Sequence, residues 1–328
     1  MSSLHNTIYL GPGSPSSPPA PRKPPTLIFF ITGNPGLIEF YRPFLNQLRN
    51  LLPREDAPDS EREFHLYGAS LAGFQLGSEH EREPGIKVYG SGNPPFGLGE
   101  QIDRVVLQLT DAAKTFCDDH ETRAQVILVG HSVGAYILLE IITRWQRMQL
   151  DERTQTPLQI TGGICLFPTV VDIAQSANGR MMGPLLKLPG HMARDEMREI
   201  TNDRFTDTLW GTPSQEKDAK AIVDQTTEAL SGHRNPSSAP PPPKLFFYFG
   251  HNDHWVSNRT RDKLIATRAR APQSTGPEGS RARACEASKP VMEVDGGGIP
   301  HGFCLRREHS RVVAEKVARW VREVERGT

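Results

Sequence analysis

Residues 130–134, Gly130-His131-Ser132-Val133-Gly134, are the part of this 328-residue chain best suited to covalent chemistry. They stand between the apolar run Val126-Ile127-Leu128-Val129 and an apolar helical stretch, the Gly-x-Ser-x-Gly context of a nucleophile elbow. A serine on so tight a strand-to-helix turn needs small neighbours two positions away on either side, and Gly130 and Gly134 meet that need. The turn would lift the Ser132 hydroxyl above a sheet and leave the Val133 N–H, at a helix N-terminus, pointing at a developing oxyanion. A serine hydroxyl is a weak nucleophile without a base, and the base must be oriented by a third group. In this arrangement the expected chain order is serine, acid, histidine. The apolar run 245–249 ends at Gly250, and Asp253 follows three residues on, at the strand end where ligands bind. The loop 295–303 carries His301. Ser132, Asp253 and His301 are therefore the candidate nucleophile, acid and base. Asn34, in the turn Gly33-Asn34-Pro35-Gly36, is the candidate second oxyanion donor, because Pro35 has no N–H to give.

Other roles are open for several of these residues. Asp253 could cap a helix starting near Ser257. Asp262 falls inside that helix and Asp295 lies close before His301, so both fit the order less well. His131 reads as a packing or hydrogen-bonding neighbour of the serine. His251 and His254 flank Asp253, but no His-Glu-x-x-His or Cys/His set accompanies them, so neither a metal nor another cofactor is expected. Cys304 has no elbow around it. A serine at the elbow speaks against epoxide or halide chemistry, which needs an acidic nucleophile.

The elements that must position these groups alternate. Strands are expected at 26–32, 63–69, 125–129, 161–167, 244–249 and 290–294. Helices are expected at about 40–52, 98–117, 133–148 and 310–324. This alternation predicts an α/β fold with a mostly parallel, doubly wound sheet. Residues 1–25 are expected to form a disordered leader and 26–328 the folded domain. A helical cap insertion spans about 168–243; its capping box at Thr212 to Gln215 opens a helix running to about Leu230, and a proline-rich linker follows. A flexible loop is expected at about 271–288. Lys plus Arg equals Asp plus Glu at 38 each, so no global field recruits nucleic acid. The four cysteines are widely spaced, which suits reduced thiols in an intracellular protein. Neither a secretory signal nor a transmembrane segment is expected.

Taken together, five segments resemble the lipid droplet-associated hydrolase family, a branch of the α/β-hydrolases. They are Thr32 to Tyr41 (Thr-Gly-Asn-Pro-Gly-Leu-Ile-Glu-Phe-Tyr), Gly130 to Tyr136, Leu166-Phe167-Pro168-Thr169 with Asn178-Gly179-Arg180, Phe247 to Gly250 with Asp253 and Trp255, and Ile299 to Phe303. The resemblance places Ser132, Asp253 and His301 at the triad positions of an α/β-hydrolase fold. It implies a serine esterase acting on lipid or sterol esters, a role in lipid storage, and a location on the lipid-droplet surface or in the cytoplasm rather than outside the cell. The alternative it leaves is a droplet-binding scaffold with little or no turnover. The chain departs from the family in the cap: where relatives carry a long hydrophobic stretch for docking on a lipid monolayer, residues 189–199 are polar.

Overall fold

The structure, a computed structural model, describes residues 6–12, 24–53, 63–75, 96–116, 123–150, 158–182, 192–200, 242–270 and 289–327. Its centre is a seven-stranded sheet. In chain order the strands are β1 (Thr7–Leu10), β2 (Thr26–Ile31), β3 (Phe64–Ala69), β4 (Ala124–His131), β5 (Leu158–Leu166), β6 (Lys244–Phe249) and β7 (Val291–Val294). In space the order is β1-β3-β2-β4-β5-β6-β7. All neighbours pair in parallel except β1, which runs antiparallel to β3. The parallel strands from β2 to β7 thus end at one rim, and the loops that leave them there carry every candidate residue.

The strands read as continuous apolar runs because both faces are covered. Leu27, Phe29 and Ile31 of β2, with Val126 and Leu128 of β4, pack into one core with helices α2 (Leu98–Phe116) and α3 (Val133–Leu150). The alternate residues Ile28, Phe30, Ile127 and Val129 point the other way, into a second core with α1 (Arg42–Leu51) and the C-terminal helix α7 (Arg307–Glu325). Helix α7 buries Val313, Val317, Trp320, Val321 and Val324 at helical spacing, and Trp320 stacks on Phe246 of β6 at 5.2 Å. Each such side chain contributes on the order of 2 kcal/mol by leaving water. Among the described residues three more helices lie between the β5 and β7 ends of the chain: α4 (Ala177–Met182), α5 (Met192–Glu199) and α6 (Asn258–Arg268). No helix of the described residues is long and apolar enough to cross a membrane.

Topology and elbow together are those of the α/β-hydrolase fold expected from the sequence. The expected leader needs correction at one end, since Thr7–Leu10 forms the edge strand β1. The Tyr9 ring stacks on Phe116 at 4.2 Å, and its hydroxyl bonds to His65 Nδ1 at 2.9 Å, which ties this strand to the sheet. Helix α7 starts three residues earlier than expected, at Arg307, and β5 starts earlier too, at Leu158. The expected helix at 212–230, the proline-rich linker up to residue 241 and the loop at 271–288 lie outside the described residues.

Candidate active site

Close packing at the end of β4 shapes the elbow. A methyl group on Gly134 would press into the carbonyl oxygens of Ile31 and Thr32, the latter at 2.6 Å; one on Gly130 would meet the Ala135 nitrogen at 2.8 Å. With both side chains absent, α3 sits directly on β2 and β4. Ser132 takes a left-handed φ of 54°, a conformation L-residues adopt only when the surroundings impose it. The imposing contacts are a Ser132 N–H bond to Leu166 O at 3.0 Å and an Ala135 N–H bond back to Ser132 O at 3.0 Å.

The structure brings the three candidate side chains into one hydrogen-bonded row. Ser132 Oγ lies 2.9 Å from His301 Nε2, and His301 Nδ1 lies 2.7 Å from Asp253 Oδ2. An ionised carboxylate only accepts, so Nδ1 carries the proton and Nε2 is left to accept from the serine hydroxyl. The Asp253 side chain is 3% exposed and that of His301 16%, so the row runs from the interior to an accessible imidazole. The other Asp253 oxygen accepts the Trp255 N–H at 2.8 Å. Asp253 does not cap the following helix: Ser257 does, its Oγ accepting the Thr260 N–H at 3.1 Å. Arg261, which the sequence did not single out, fixes the loop of the candidate acid Asp253 by donating to the carbonyls of Gly250 (3.0 Å) and His251 (2.7 Å).

The rival groups have other work. Asp262 pairs with Arg261 at 2.8 Å. Asp295 accepts the Tyr248 hydroxyl at 2.8 Å and the Ile299 N–H at 2.6 Å, and so anchors the loop that carries His301. Burial pushes the Cys304 thiol up to about 11, which keeps it protonated and unreactive. His251 and His254 are both exposed, and no metal-binding cluster occurs among the described residues. Phe167, at a φ of 44°, packs its ring against Phe303 at 5.6 Å and against His301 at 6.2 Å, forming an apolar wall beside the base.

Neither the Val133 N–H nor the Asn34 N–H has a hydrogen-bond partner among the described residues. Gly33, the residue before Asn34, lies against the serine: a methyl group on it would lie 2.9 Å from Ser132 Cβ. The Asn34 side chain reaches α5, donating from Nδ2 to Glu196 Oε1 at 3.3 Å. The adjacent Asp195 accepts the Leu98 N–H at the start of α2, at 3.2 Å. Sequence reading took 189–199 only as a polar stretch, because the partners of Asp195 and Glu196 lie far away along the chain.

Glu196 is 5% exposed, and burial raises its carboxyl to about 8, helped by the charge of Asp195 and opposed by the Asn34 bond. The folded protein therefore holds a proton that the unfolded chain gives up near the ordinary value of 4.5. Stability from this group is complete below that value. It falls by about 1.4 kcal/mol per pH unit as pH rises towards the folded value, and levels off above it. Glu196→Gln carries no titrating proton, so its Tm is expected to fall less than that of the wild type between about pH 5 and pH 8. Parallel thermal scans of the two proteins check this; equal slopes would mean the carboxyl is solvated.

Residues 24–190 and 187–304 match the family model described as lipid-droplet associated hydrolase, and the matched ranges include all five candidate residues. The lipid droplet-associated hydrolase of Mus musculus is 25% identical over 329 residues, covering 91% of this chain and 85% of that protein. The Dictyostelium discoideum protein of that name is 22% identical, covering 90% of this chain and 86% of its own length. The Homo sapiens protein of that name is 29% identical over 50% of this chain and 44% of its own length.

Proposed function

The chain belongs to the lipid-droplet associated hydrolase family, and we propose that it cleaves carboxylic esters of lipids, sterol esters among them, through an acyl-enzyme on Ser132. The observation that carries this reading is the continuous row from Ser132 Oγ through the His301 imidazole to the Asp253 carboxylate. Ser132 Oγ attacks the ester carbonyl while its proton passes to His301 Nε2, and the imidazolium is stabilised by Asp253. The tetrahedral oxyanion is received by the N–H groups of Val133 and Asn34, which are unpaired among the described residues and so need not break other bonds to turn towards it. Collapse expels the alcohol, which takes the proton from Nε2. Water then attacks the acyl group with the same base, and the fatty acid leaves.

The family name supports action at the lipid-droplet surface. Helix α5 carries five charged residues among its eight, so the proposal of docking on a monolayer is drawn from that kinship. A fluorophosphonate probe tests the chemistry directly. It is expected to label the wild type on a single serine and to leave Ser132→Ala unlabelled. Labelling of the alanine variant at the wild-type rate would defeat the assignment. A wild type that binds emulsified lipid but releases no acid from short or long esters would instead support the scaffold role.

A further inference from the structure

The motif residue Tyr41 and the elbow residue His131 have no part in the chemistry above, yet the structure joins them to the base. Tyr41 Oη lies 2.7 Å from His131 Nδ1, and His131 Nε2 lies 2.9 Å from the backbone carbonyl oxygen of His301. Proton positions in this chain follow from elementary donor and acceptor rules. The His301 carbonyl can only accept, so His131 Nε2 carries a hydrogen. Burial, reinforced by the neighbouring His301, holds the His131 imidazole well below its ordinary value, so the ring is neutral and its Nδ1 must accept. Tyr41 therefore donates to it, and its oxygen accepts the Gly33 N–H at 3.1 Å, beside the Cys304 thiol. Each member has one arrangement open to it.

We propose that the Gly33–Tyr41–His131 chain is a positioning device that fixes the backbone of His301, and through it the height of the imidazole over Ser132. The need for it is plain in the sequence of the loop: Asp295 is followed by three consecutive glycines before Ile299, and Gly298 is at a φ of 72°. Asp295 holds the loop at Ile299, two residues before the base. His131 holds it at the base's own carbonyl. The two histidine rings stand 5.0 Å apart, and Phe303 closes against His131 edge-on at 5.1 Å, so the imidazole cannot turn without displacing the aromatic packing. The same chain ties the Gly33 turn, next to the candidate oxyanion donor Asn34, to the base. One network thus sets both sides of the nucleophile.

This inference rests on the proposed hydrolase reading, and the experiment separates the two. Steady-state kinetics on a short nitrophenyl ester are compared for the wild type, His131→Phe, His131→Gln, Tyr41→Phe and Ser132→Ala. His131→Phe is expected to lower kcat about 10- to 100-fold with KM within about twofold, the signature of a misplaced base. His131→Gln, whose amide N–H can reach the His301 carbonyl, is expected to recover most of that loss. Imidazole nitrogen spectra of the wild type give a readout independent of turnover and of whether the phenylalanine variant folds. His131 should appear as the neutral Nε2–H tautomer at neutral pH, and Tyr41→Phe, which removes the donor to Nδ1 but leaves the His301 carbonyl in place, should keep that tautomer and shift the Nδ1 signal to that of an unbonded acceptor. Wild-type kcat in His131→Phe, or a His131 that is charged or carries its proton on Nδ1 at neutral pH, overturns the positioning role. Turnover that survives in Ser132→Ala removes the hydrolase reading instead and leaves the spectroscopic result standing.

Discussion

His301→Ala is expected to reduce ester turnover by about 10⁴- to 10⁶-fold with little change in KM. The size of the effect follows from the role the geometry allows. Among the described residues Ser132 Oγ has one hydrogen-bond partner, His301 Nε2 at 2.9 Å, and without it the hydroxyl must lose its proton to water. Asp253→Asn is expected to cost about 10⁴-fold, because an amide facing Nδ1 can force the tautomer whose Nε2–H no longer accepts from the serine. The setting of Asp253 sharpens the comparison: its side chain is only 3% exposed, which leaves little room for water to take over the task. Single-turnover acylation with a chromogenic ester measures both. An Asp253→Asn variant with near-normal acylation, set against an inactive Asp295→Asn, would move the acid to the loop before His301.

Gly134→Ala is expected to lower the free energy of unfolding by about 3 kcal/mol or more, and to leave much of the protein insoluble. The added methyl would push against two backbone carbonyls at the β2 end, Ile31 and Thr32, and Ile31 is held in the β2–β4 pairing. Because α3 starts one residue earlier, any relief by sliding the helix also displaces Ser132. Gly99→Ala is the matching control. Gly99 lies on α2 with open space where the methyl would go, so it is expected to be neutral or stabilising by up to about 1 kcal/mol. Denaturant titration of both variants tests the pair. Equal midpoints would mean that the elbow has slack the contacts do not suggest.

Much of the fold was legible in the sequence because a doubly covered parallel sheet leaves an unambiguous mark. Runs such as 27–31 and 245–249 are apolar at every position, and the glycines of the elbow report a contact that admits nothing larger. The candidate acid Asp253 stands out by its place after β6, yet the residues that hold its loop do not. Arg261 reads as one more basic residue of a surface helix until the turn of the chain puts it under the carbonyls of Gly250 and His251. Glu196 reads as part of a polar stretch until Asn34, far back in the sequence, is found against it. His131 was expected to be a hydrogen-bonding neighbour and is one, but its partners on Tyr41 and His301 belong to segments that only the folded sheet brings together. The edge strand β1 went unseen for a related reason. Its four residues carry little pattern of their own, and their order comes from pairing with β3.

The parallel register of β4, β5, β6 and β7 has a bearing on how such a protein changes over evolutionary time. The proposed nucleophile, acid and base each hang from a different strand terminus, and those termini are held by their neighbours in the ladder, whatever polypeptide runs between them. Lineages are therefore free to lengthen, shorten or exchange the connecting stretches, and with them the choice of molecule admitted, while the reacting atoms keep their spacing.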